Sequence, residues 1–287
     1  MSPTKFLVLS DTHNLEPDVF QDADSPLYNC NQPRVDVLLH CGDLTQVVGI
    51  SAYKKALRML GSFDAELKLV IAGNNDISLD GEYWRTHLEE DDEPEEHDKA
   101  VGIMTGFLAK EMGVTYLTEG VHTFTLKSSE TDDHGQSHSP LANDHTPGTT
   151  FGIYATPYQP ECGDWAFSYK RSEDRFNYQS CDNYTSIATE SSLVPDQVDV
   201  MMTHGPPKGI LDTVRDERAG CDALLQAVER VRPKMHCFGH IHEGYGTQTV
   251  HWRTKSDGRT GTLFVNAAVM DGSNQPVNSP RLVELEL

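Results

Sequence analysis

The chain has 287 residues, a length that suits one α/β or layered β domain with a large core and surface insertions. Its formal net charge of −21 argues against a broad nucleic-acid-binding surface, which requires clustered Lys and Arg side chains. Any recognition of phosphate must therefore come from a local site, and we expect no nucleic-acid polymer as a partner.

The cysteines and the apolar segments bear on the cellular compartment. The six cysteines form no CxxC pair and no dense framework, and the N-terminal residues lack a basic region followed by a secretory apolar stretch. The apolar run at residues 6–9 is far shorter than the roughly 20 residues that a membrane-spanning helix requires. We therefore expect a reducing, cytoplasmic compartment and no membrane partner.

Short apolar runs bounded by polar or glycine-containing turns recur along the chain. Their length and their Val, Ile and Phe content predict buried strands at residues 5–10, 35–40, 67–72, 121–126, 151–155, 198–203, 234–238 and 262–266. Helical periodicity falls between some of these runs, at residues 46–60, 99–112 and 220–231. Because the second half has more strand than helix, the pattern favours two packed sheets flanked by helices over one doubly wound sheet.

Two segments differ from this pattern and are predicted to be insertions in a single domain of residues 1–287. Residues 85–100 contain an acidic run around a proline, at positions 89–98. Residues 128–149 are rich in Ser, Thr, Asp, Gly, His and Pro and have almost no apolar content. We expect both segments to be exposed and flexible.

Five polar motifs directly follow predicted strands. They are Asp11-Thr-His13, Gly42-Asp43, Gly73-Asn74-Asn75-Asp76, His204-Gly205-Pro-Pro and Gly239-His240-Ile-His242. Side chains at strand ends can point into one shared cleft, so residues far apart in the sequence can meet there. Carboxylate, imidazole and amide oxygen together suit zinc, manganese or iron, and the absence of thiolate argues against a structural zinc cluster.

The order and placement of these motifs resemble the calcineurin-like metallophosphoesterase superfamily over residues 5 to about 270. A closer resemblance, to the branch called metallophosphoesterase domain-containing proteins, rests on His204-Gly-Pro-Pro-Lys-Gly209, Phe238-Gly-His-Ile-His-Glu-Gly-Tyr-Gly246, Tyr158-Gln-Pro160 with Asp164-Trp-Ala-Phe167, and Val265-Asn-Ala-Ala268. The resemblance implies an α/β (α+β) fold in which two mixed β-sheets flanked by helices form a four-layer sandwich. It narrows the architecture more than the substrate.

The resemblance also implies two divalent transition-metal ions, which would be manganese, zinc or iron. One ion would be held by Asp11, His13, Asp43 and His242, and the other by Asp43, Asn74, His204 and His240, so that Asp43 is the bridge. The implied reaction is hydrolysis of a phosphodiester or an activated small phosphoester by a hydroxide that bridges the two ions. The expected partner is a small-molecule phosphoester or a related metabolite. The sequence does not indicate which oligomeric state the protein has.

One position departs from the family pattern. Where the family has a histidine that contacts the phosphate and protonates the leaving group, this chain has Asn75. An amide can donate a hydrogen bond to a phosphate oxygen but supplies no proton near neutral pH. Asn75 is therefore a catalytic and substrate-binding candidate of altered chemistry. Asp76 is a second catalytic candidate, with a turn or a helix cap as its alternative role.

Three interpretations of this departure remain open. The chain is a slow hydrolase of activated esters, a low-turnover regulatory protein that binds phosphate or nucleotide, or a dimetal enzyme whose substrate is not a phosphoester. Because all seven inferred ligands are intact, loss of metal binding is the least favoured explanation.

Aromatic side chains near the predicted site are candidates for binding the substrate. Tyr158 and Trp165, with Arg171 and Arg175 nearby, can line the mouth of the cleft, because aromatic walls and a fork-shaped cation suit a planar group that bears phosphate. Tyr245 follows the last histidine motif and can form the edge of the cleft. Core packing explains the aromatic residues equally well.

Overall fold

The computed structural model describes residues 3–15, 34–46, 49–90, 92–127, 148–179, 183–252 and 261–287. Strands and helices are numbered along the chain. The first sheet contains β1 (Thr4–Leu9), β2 (Val35–His40), β3 (Ala65–Val70), β4 (Val114–Tyr116) and β17 (Arg281–Leu285). Its spatial order is β17-β1-β2-β3-β4, in which β1 to β4 are parallel and the edge strand β17 is antiparallel to β1.

The second sheet has six strands. They are β5 (Gly120–Thr125), β6 (Thr150–Thr156), β11 (Val200–Thr203), β14 (Met235–Phe238), β15 (Gly246–His251) and β16 (Gly261–Asn266). Their spatial order is β15-β16-β14-β11-β6-β5, with four parallel strands in the middle and an antiparallel strand at each edge. Both sheets are therefore mixed.

In the described ranges, helices and three short two-stranded ribbons accompany the sheets. The helices are α1 (Ile50–Gly61), α2 (Gly81–Thr86), α3 (Glu96–Thr105), α4 (Phe107–Glu111) and α5 (Asp222–Val231). The ribbons pair β7 (Gln159–Pro160) with β8 (Ser168–Tyr169), β9 (Glu173–Asp174) with β10 (Thr185–Ser186), and β12 (Thr213–Val214) with β13 (Glu217–Arg218). Single 3-10 turns lie at Ile77–Leu79 and His242–Gly244.

Alternating apolar side chains fill both faces of each sheet. Phe6 and Val8 of β1 lie between the sheets, where they belong to the same apolar layer as Val200 of β11. Leu7 and Leu9 point the other way, into the layer formed by α1, α3 and α4, and α5 covers the outer face of the second sheet. Burial of one such side chain stabilises the fold by about 1.5–3 kcal/mol. The predicted four-layer sandwich of two mixed sheets flanked by helices is confirmed.

The continuous helix predicted over residues 99–112 is wrong, because the chain divides it into α3 and α4. Gly106 lies between the two helices and has an extended backbone, with φ −89° and ψ −155°. A side chain at this position would meet the carbonyl oxygen of Gly102 at 2.2 Å, so the break requires glycine. The other two predicted helices correspond to α1 and α5.

The acidic segment at residues 85–100 connects α2 to α3. Most of its acidic side chains are exposed, and the carbonyl oxygen of Glu93 accepts a hydrogen bond from Nε1 of Trp84 at 3.2 Å. Its last residues form the start of α3, where Ala100 is fully buried. This end of the segment is therefore part of the helical layer, and its description as an insertion stays a prediction.

The second predicted insertion, at residues 128–149, lies outside the described residues except at positions 148 and 149. None of the helices in the described ranges has both the length and the apolar character needed to cross a membrane.

A fully buried histidine, His236, lies in the centre of the second sheet on β14. The Thr203 hydroxyl donates to the carbonyl oxygen of Gly205 at 2.7 Å, so it can only accept from Nε2 of His236, which lies 2.9 Å away. Nδ1 of the same ring is buried and has no partner among the described residues. Burial lowers the pKa of His236 from 6.5 to about 3, so the folded chain holds a neutral ring.

The first prediction concerns the acid stability that follows from this ring. The unfolded chain protonates His236 below pH 6.5 and the folded chain does not, so stability falls as the pH decreases from 6.5 towards 3. His236→Phe should remove this contribution. Between pH 7 and pH 5, the free energy of unfolding should therefore fall by about 2 kcal/mol less in the variant than in the unmodified chain. Urea denaturation at pH 5, 6 and 7 measures it. His251→Phe, on an exposed position of β15, is the matched control, and an equal reduction in both variants would contradict the assignment.

Candidate metal centre

Two carboxylates lie at the carboxyl end of the first sheet. Asp11 follows β1 and Asp43 follows β2, and because these strands are parallel neighbours their ends meet at one edge. Both residues have a left-handed backbone, with φ 55° and 54°, and the residues are only 0% and 2% exposed. The backbone of Asp11 donates to the carbonyl oxygen of Gly42 at 2.9 Å, which fixes one loop against the other.

The second sheet brings histidines to the same place. His204 follows β11, and His240 and His242 follow β14, the parallel neighbour of β11. The backbone N–H of His240 donates to Oδ2 of Asp11 at 3.0 Å. The two sheets therefore meet at this pair of loops.

The polar atoms of six predicted ligands approach one another closely. Nε2 of His242 lies 3.4 Å from Oδ1 of Asp11 and 3.4 Å from Nε2 of His13. Asp43 faces both sides of the cluster, since Oδ2 lies 3.7 Å from Nε2 of His13 and Oδ1 lies 3.5 Å from Nε2 of His204. Nε2 of His204 also lies 2.9 Å from Oδ1 of Asn74.

Among the described residues, two groups of three donors are close enough together to hold a metal ion. The ligand atoms of Asp11, His13 and His242 lie within 4.8 Å of one another, and so do those of Asp11, Asp43 and His204. Asp11 is common to both groups, whereas the resemblance assigns the shared position to Asp43. The geometry is compatible with either carboxylate, because Asp43 also presents one oxygen to each side.

His240, the seventh predicted ligand, belongs to neither group. Its ring lies beside that of His204, with 4.9 Å between the ring centroids. Burial lowers the pKa of His240 to about 3, and the charges of His204 and Arg171 contribute in the same direction. The ring is therefore neutral at physiological pH, which is the form that binds metals.

Backbone carbonyl groups fix the orientation of three of the histidines. In His204, Nδ1 lies 2.9 Å from the carbonyl oxygen of Cys41. In His242, Nδ1 lies 3.1 Å from the carbonyl oxygen of Asp271, and in His13 it lies 3.3 Å from another backbone carbonyl oxygen. A carbonyl oxygen only accepts, so each Nδ1 must carry a proton. The three Nε2 atoms consequently face the carboxylates, an arrangement typical of histidines that bind metal ions.

The carboxylates and imidazoles influence each other's ionisation. Burial alone would raise the pKa of Asp11, but the hydrogen bond with His242 and the nearby imidazoles lower it overall. Burial likewise opposes protonation of His242, yet the hydrogen bond and the charge of Asp11 raise its pKa to about 9. Asp11 is therefore a permanent negative charge in the cluster.

Asn75 is directed at Asp43 through two hydrogen bonds. Its backbone N–H donates to Oδ1 at 2.8 Å, and its side-chain Nδ2 donates to Oδ2 at 2.7 Å. Both oxygens of Asp43 are thus oriented by one residue. The candidate role of Asn75 towards a substrate stays a prediction.

Asp76 accepts four hydrogen bonds from neighbouring loops. Its donors are the backbone N–H groups of Leu44, Thr45 and Gly73 and the hydroxyl group of Thr45, at 2.9 to 3.1 Å. Burial and then the charge of Asp43 raise its pKa to about 7. These contacts connect the loop after β2 to the loop after β3, so Asp76 positions the residues on both.

The aromatic candidates for substrate binding are not among the residues that line the cleft beside His240, and their role towards a substrate stays a prediction. The Tyr158 ring lies 3.6 Å below the guanidinium group of Arg175, which pairs with Glu119 at 2.7 Å. Tyr245 lies below a second arginine at 3.9 Å, and Trp165 is 41% exposed.

The residues that do line this cleft include three arginines, Arg171, Arg215 and Arg218. The sequence interpretation names only Arg171. Arg215 lies in the turn at 215–216, whose residues both have positive φ, but no Gly or Asn marks this turn in the sequence.

Comparison with known proteins agrees with this arrangement. The family model described as calcineurin-like phosphoesterase matches residues 4–244. The chain is 31% identical to metallophosphoesterase domain-containing protein 1 from Homo sapiens and from Mus musculus, over 98% of this chain and 71% of each relative. A UPF0046 protein from Caenorhabditis elegans is 31% identical over 96% of this chain and 73% of its own length. Members of the matched family generally use divalent metal ions.

The second prediction concerns the glycine that precedes His240. A Cβ atom on Gly239 would lie 2.0 Å from Oδ2 of Asp11, so Gly239→Ala should displace this carboxylate. We expect binding of Mn²⁺ or Zn²⁺ to weaken by about 10–100-fold, as measured by calorimetric titration. Gly102→Ala in α3, where a Cβ atom has no neighbour within 4 Å, is the matched control. Unchanged affinity in a folded Gly239→Ala variant would contradict the placement of Asp11.

Proposed function

Because the chain belongs to the calcineurin-like phosphoesterase family, we propose that it is a binuclear metal-dependent hydrolase of phosphodiesters or activated small phosphoesters. The main support is the convergence of two buried carboxylates with histidine Nε2 atoms that backbone carbonyl groups turn towards them. This mixture of hard oxygen and imidazole donors fits manganese, zinc or iron.

In this proposal, one ion would be held by Asp11, His13, Asp43 and His242, and the other by Asp43, Asn74, His204 and His240. Two divalent ions, when bound, would activate water for attack on phosphorus and polarise the phosphoryl group. Asp11 and Asp43 are the two acids among the seven ligands, so the occupied centre keeps a positive charge. It attracts a phosphate group locally, although the formal charge of the chain is −21.

Asn75 determines which esters this centre can hydrolyse. Its Nδ2 carries two N–H donors, of which one binds Asp43, so the other can bind a phosphate oxygen. Because the amide supplies no proton, the leaving group must depart without acid catalysis from this residue. We therefore propose a small-molecule ester with a good leaving group as the substrate, in a cytoplasmic setting.

The third prediction tests the metal requirement. The purified chain should contain close to two transition-metal equivalents by mass spectrometry, and Asp43→Asn should abolish both metal content and phosphodiesterase activity. Asp64→Asn, an exposed aspartate in the loop before β3, is the control for charge removal and should retain both. Full activity in metal-free protein would refute the proposed function.

The fourth prediction tests the role of Asn75. Asn75→His should raise kcat/KM for alkyl phosphodiesters by about 10²-fold, because general acid catalysis matters most for poor leaving groups. Hydrolysis of p-nitrophenyl esters, which need no proton, should change little. Asn75→Gln is the matched control, since it lengthens the amide without adding an acid.

The result also separates hydrolase from binding protein. An equal gain for both ester types would contradict the assigned role of Asn75. No turnover in either variant, together with tight phosphate binding, would favour a regulatory protein that binds phosphate.

A further inference from the structure

A cleft of about 500 Å³ extends from the candidate metal centre. Its lining includes His240 and Gly205, the residue after His204. The lining also includes residues of β7, Arg171 beyond the β7–β8 ribbon, and residues of the β12–β13 ribbon. A substrate whose phosphate reaches the metal centre therefore has room for a further group in this cleft.

The lining is cationic, although the formal charge of the whole chain is −21. Among the described residues, the lining contains Arg171, Arg215 and Arg218 and one acidic residue, Glu217. Nη1 of Arg218 already donates to Oδ1 of Asp212 at 2.8 Å. The other two arginines form no ion pair within the described ranges. Arg171 and Arg215 are therefore the cations available to an anionic ligand.

The β12–β13 ribbon holds Arg215 at its turn. Arg215 and Asp216 have φ 46° and 70°, as the turn of a tight two-residue hairpin requires. The buried carboxylate of Asp212 anchors the base, where it accepts the N–H groups of Gly209 at 2.8 Å and Gly220 at 3.0 Å. The position of Arg215 is thus built into the hairpin.

Arg171 is oriented by the chain that forms the β7–β8 ribbon. The backbone N–H of Glu161 donates to the carbonyl oxygen of Tyr169 at 2.8 Å, which closes the β7–β8 ribbon. Nε of Arg171 donates to the carbonyl oxygen of Glu161 at 2.9 Å. This contact fixes one edge of the guanidinium group and leaves its two terminal nitrogens without a partner in the described part of the chain.

We propose that this cleft binds a second anionic group of the substrate, a carboxylate or a phosphate, through Arg171 and Arg215. This inference rests on the proposed function, because it defines the class of phosphoester that the metal centre hydrolyses. Guanidinium groups bind both anions through paired N–H donors. An ester with a neutral tail lacks this interaction and binds with a higher KM.

The fifth prediction compares three p-nitrophenyl alkyl phosphodiesters whose alkyl chains end in a carboxylate, a phosphonate or a carboxamide. The leaving group is constant, so kcat/KM reports recognition of the tail. An anionic tail should raise kcat/KM by about tenfold, through KM. Arg171→Gln and Arg215→Gln should each remove most of this preference, so that kcat/KM for the anionic esters falls towards the value for the carboxamide ester.

A control variant distinguishes binding by the arginines of the cleft from the effect of the net charge of the chain. Arg58→Gln, on an exposed position of α1, changes the net charge equally and should keep the preference. A preference for one of the two anionic tails supports the proposal and identifies the group. Equal rates for all three esters in the unmodified chain, or an equal loss for all three in the arginine variants, would overturn it.

A binding measurement tests the cleft without requiring hydrolysis of the ester. Cys162 is exposed and lines the same cleft, so an occupied cleft should slow its alkylation by iodoacetamide, followed by peptide mass mapping. The carboxylate ester should protect Cys162 in the unmodified chain more than the carboxamide ester does, and Arg171→Gln should abolish the difference. Protection without hydrolysis of any ester would refute the proposed function alone. Hydrolysis without selective protection would refute the cleft assignment alone.

Discussion

Two carboxylates are buried where the two sheets meet, and their ionisation constrains the surrounding structure. Removing an ionised carboxylate from water costs several kcal/mol unless donors or cations compensate. For Asp11 the compensation comes from the backbone of His240 and the ring of His242, and for Asp43 it comes from the backbone N–H and one side-chain N–H of Asn75. The loops that supply these donors must therefore lie in one relative position.

This compensation also connects the two sheets. The backbone of His240 donates across the interface to Asp11, and Nδ1 of His204 reaches the carbonyl oxygen of Cys41 after β2. Cys41 itself belongs to the apolar layer between the sheets, next to Cys237 of β14. Because protein interiors are close-packed, a change of volume in that layer moves the strand ends that carry the ligand candidates. The geometry of the centre and the packing of the sandwich are consequently linked.

The sequence predicts the fold and the meeting of the polar motifs for one physical reason. Each motif directly follows an apolar strand, and neighbouring parallel strands bring their carboxyl ends to one edge. The sequence does not decide which carboxylate is shared, because that depends on side-chain direction, and Asp11 belongs to both groups of donors. The substrate cleft is harder to predict from the sequence, because the strands of the β7–β8 and β12–β13 ribbons have two residues each and show no periodicity. The ion pair between Arg175 and Glu119 could not be predicted either, because the two residues are distant in the sequence.

The contacts of Asn75 suit two roles at the centre, which are orienting Asp43 and binding a phosphate oxygen. A histidine at this position would offer one proton to a leaving group, whereas the amide offers two N–H donors on a single nitrogen. One of them is committed to Oδ2 of Asp43, whose Oδ1 is bound by the backbone N–H of the same residue. Asn75 therefore holds the carboxylate in place and can bind a phosphate oxygen at the same time. It does so without a group that titrates near neutral pH, so the orientation of Asp43 does not change with the protonation of this side chain. In the proposed function, an asparagine here keeps the contacts to Asp43 and lacks only the proton that a histidine would supply.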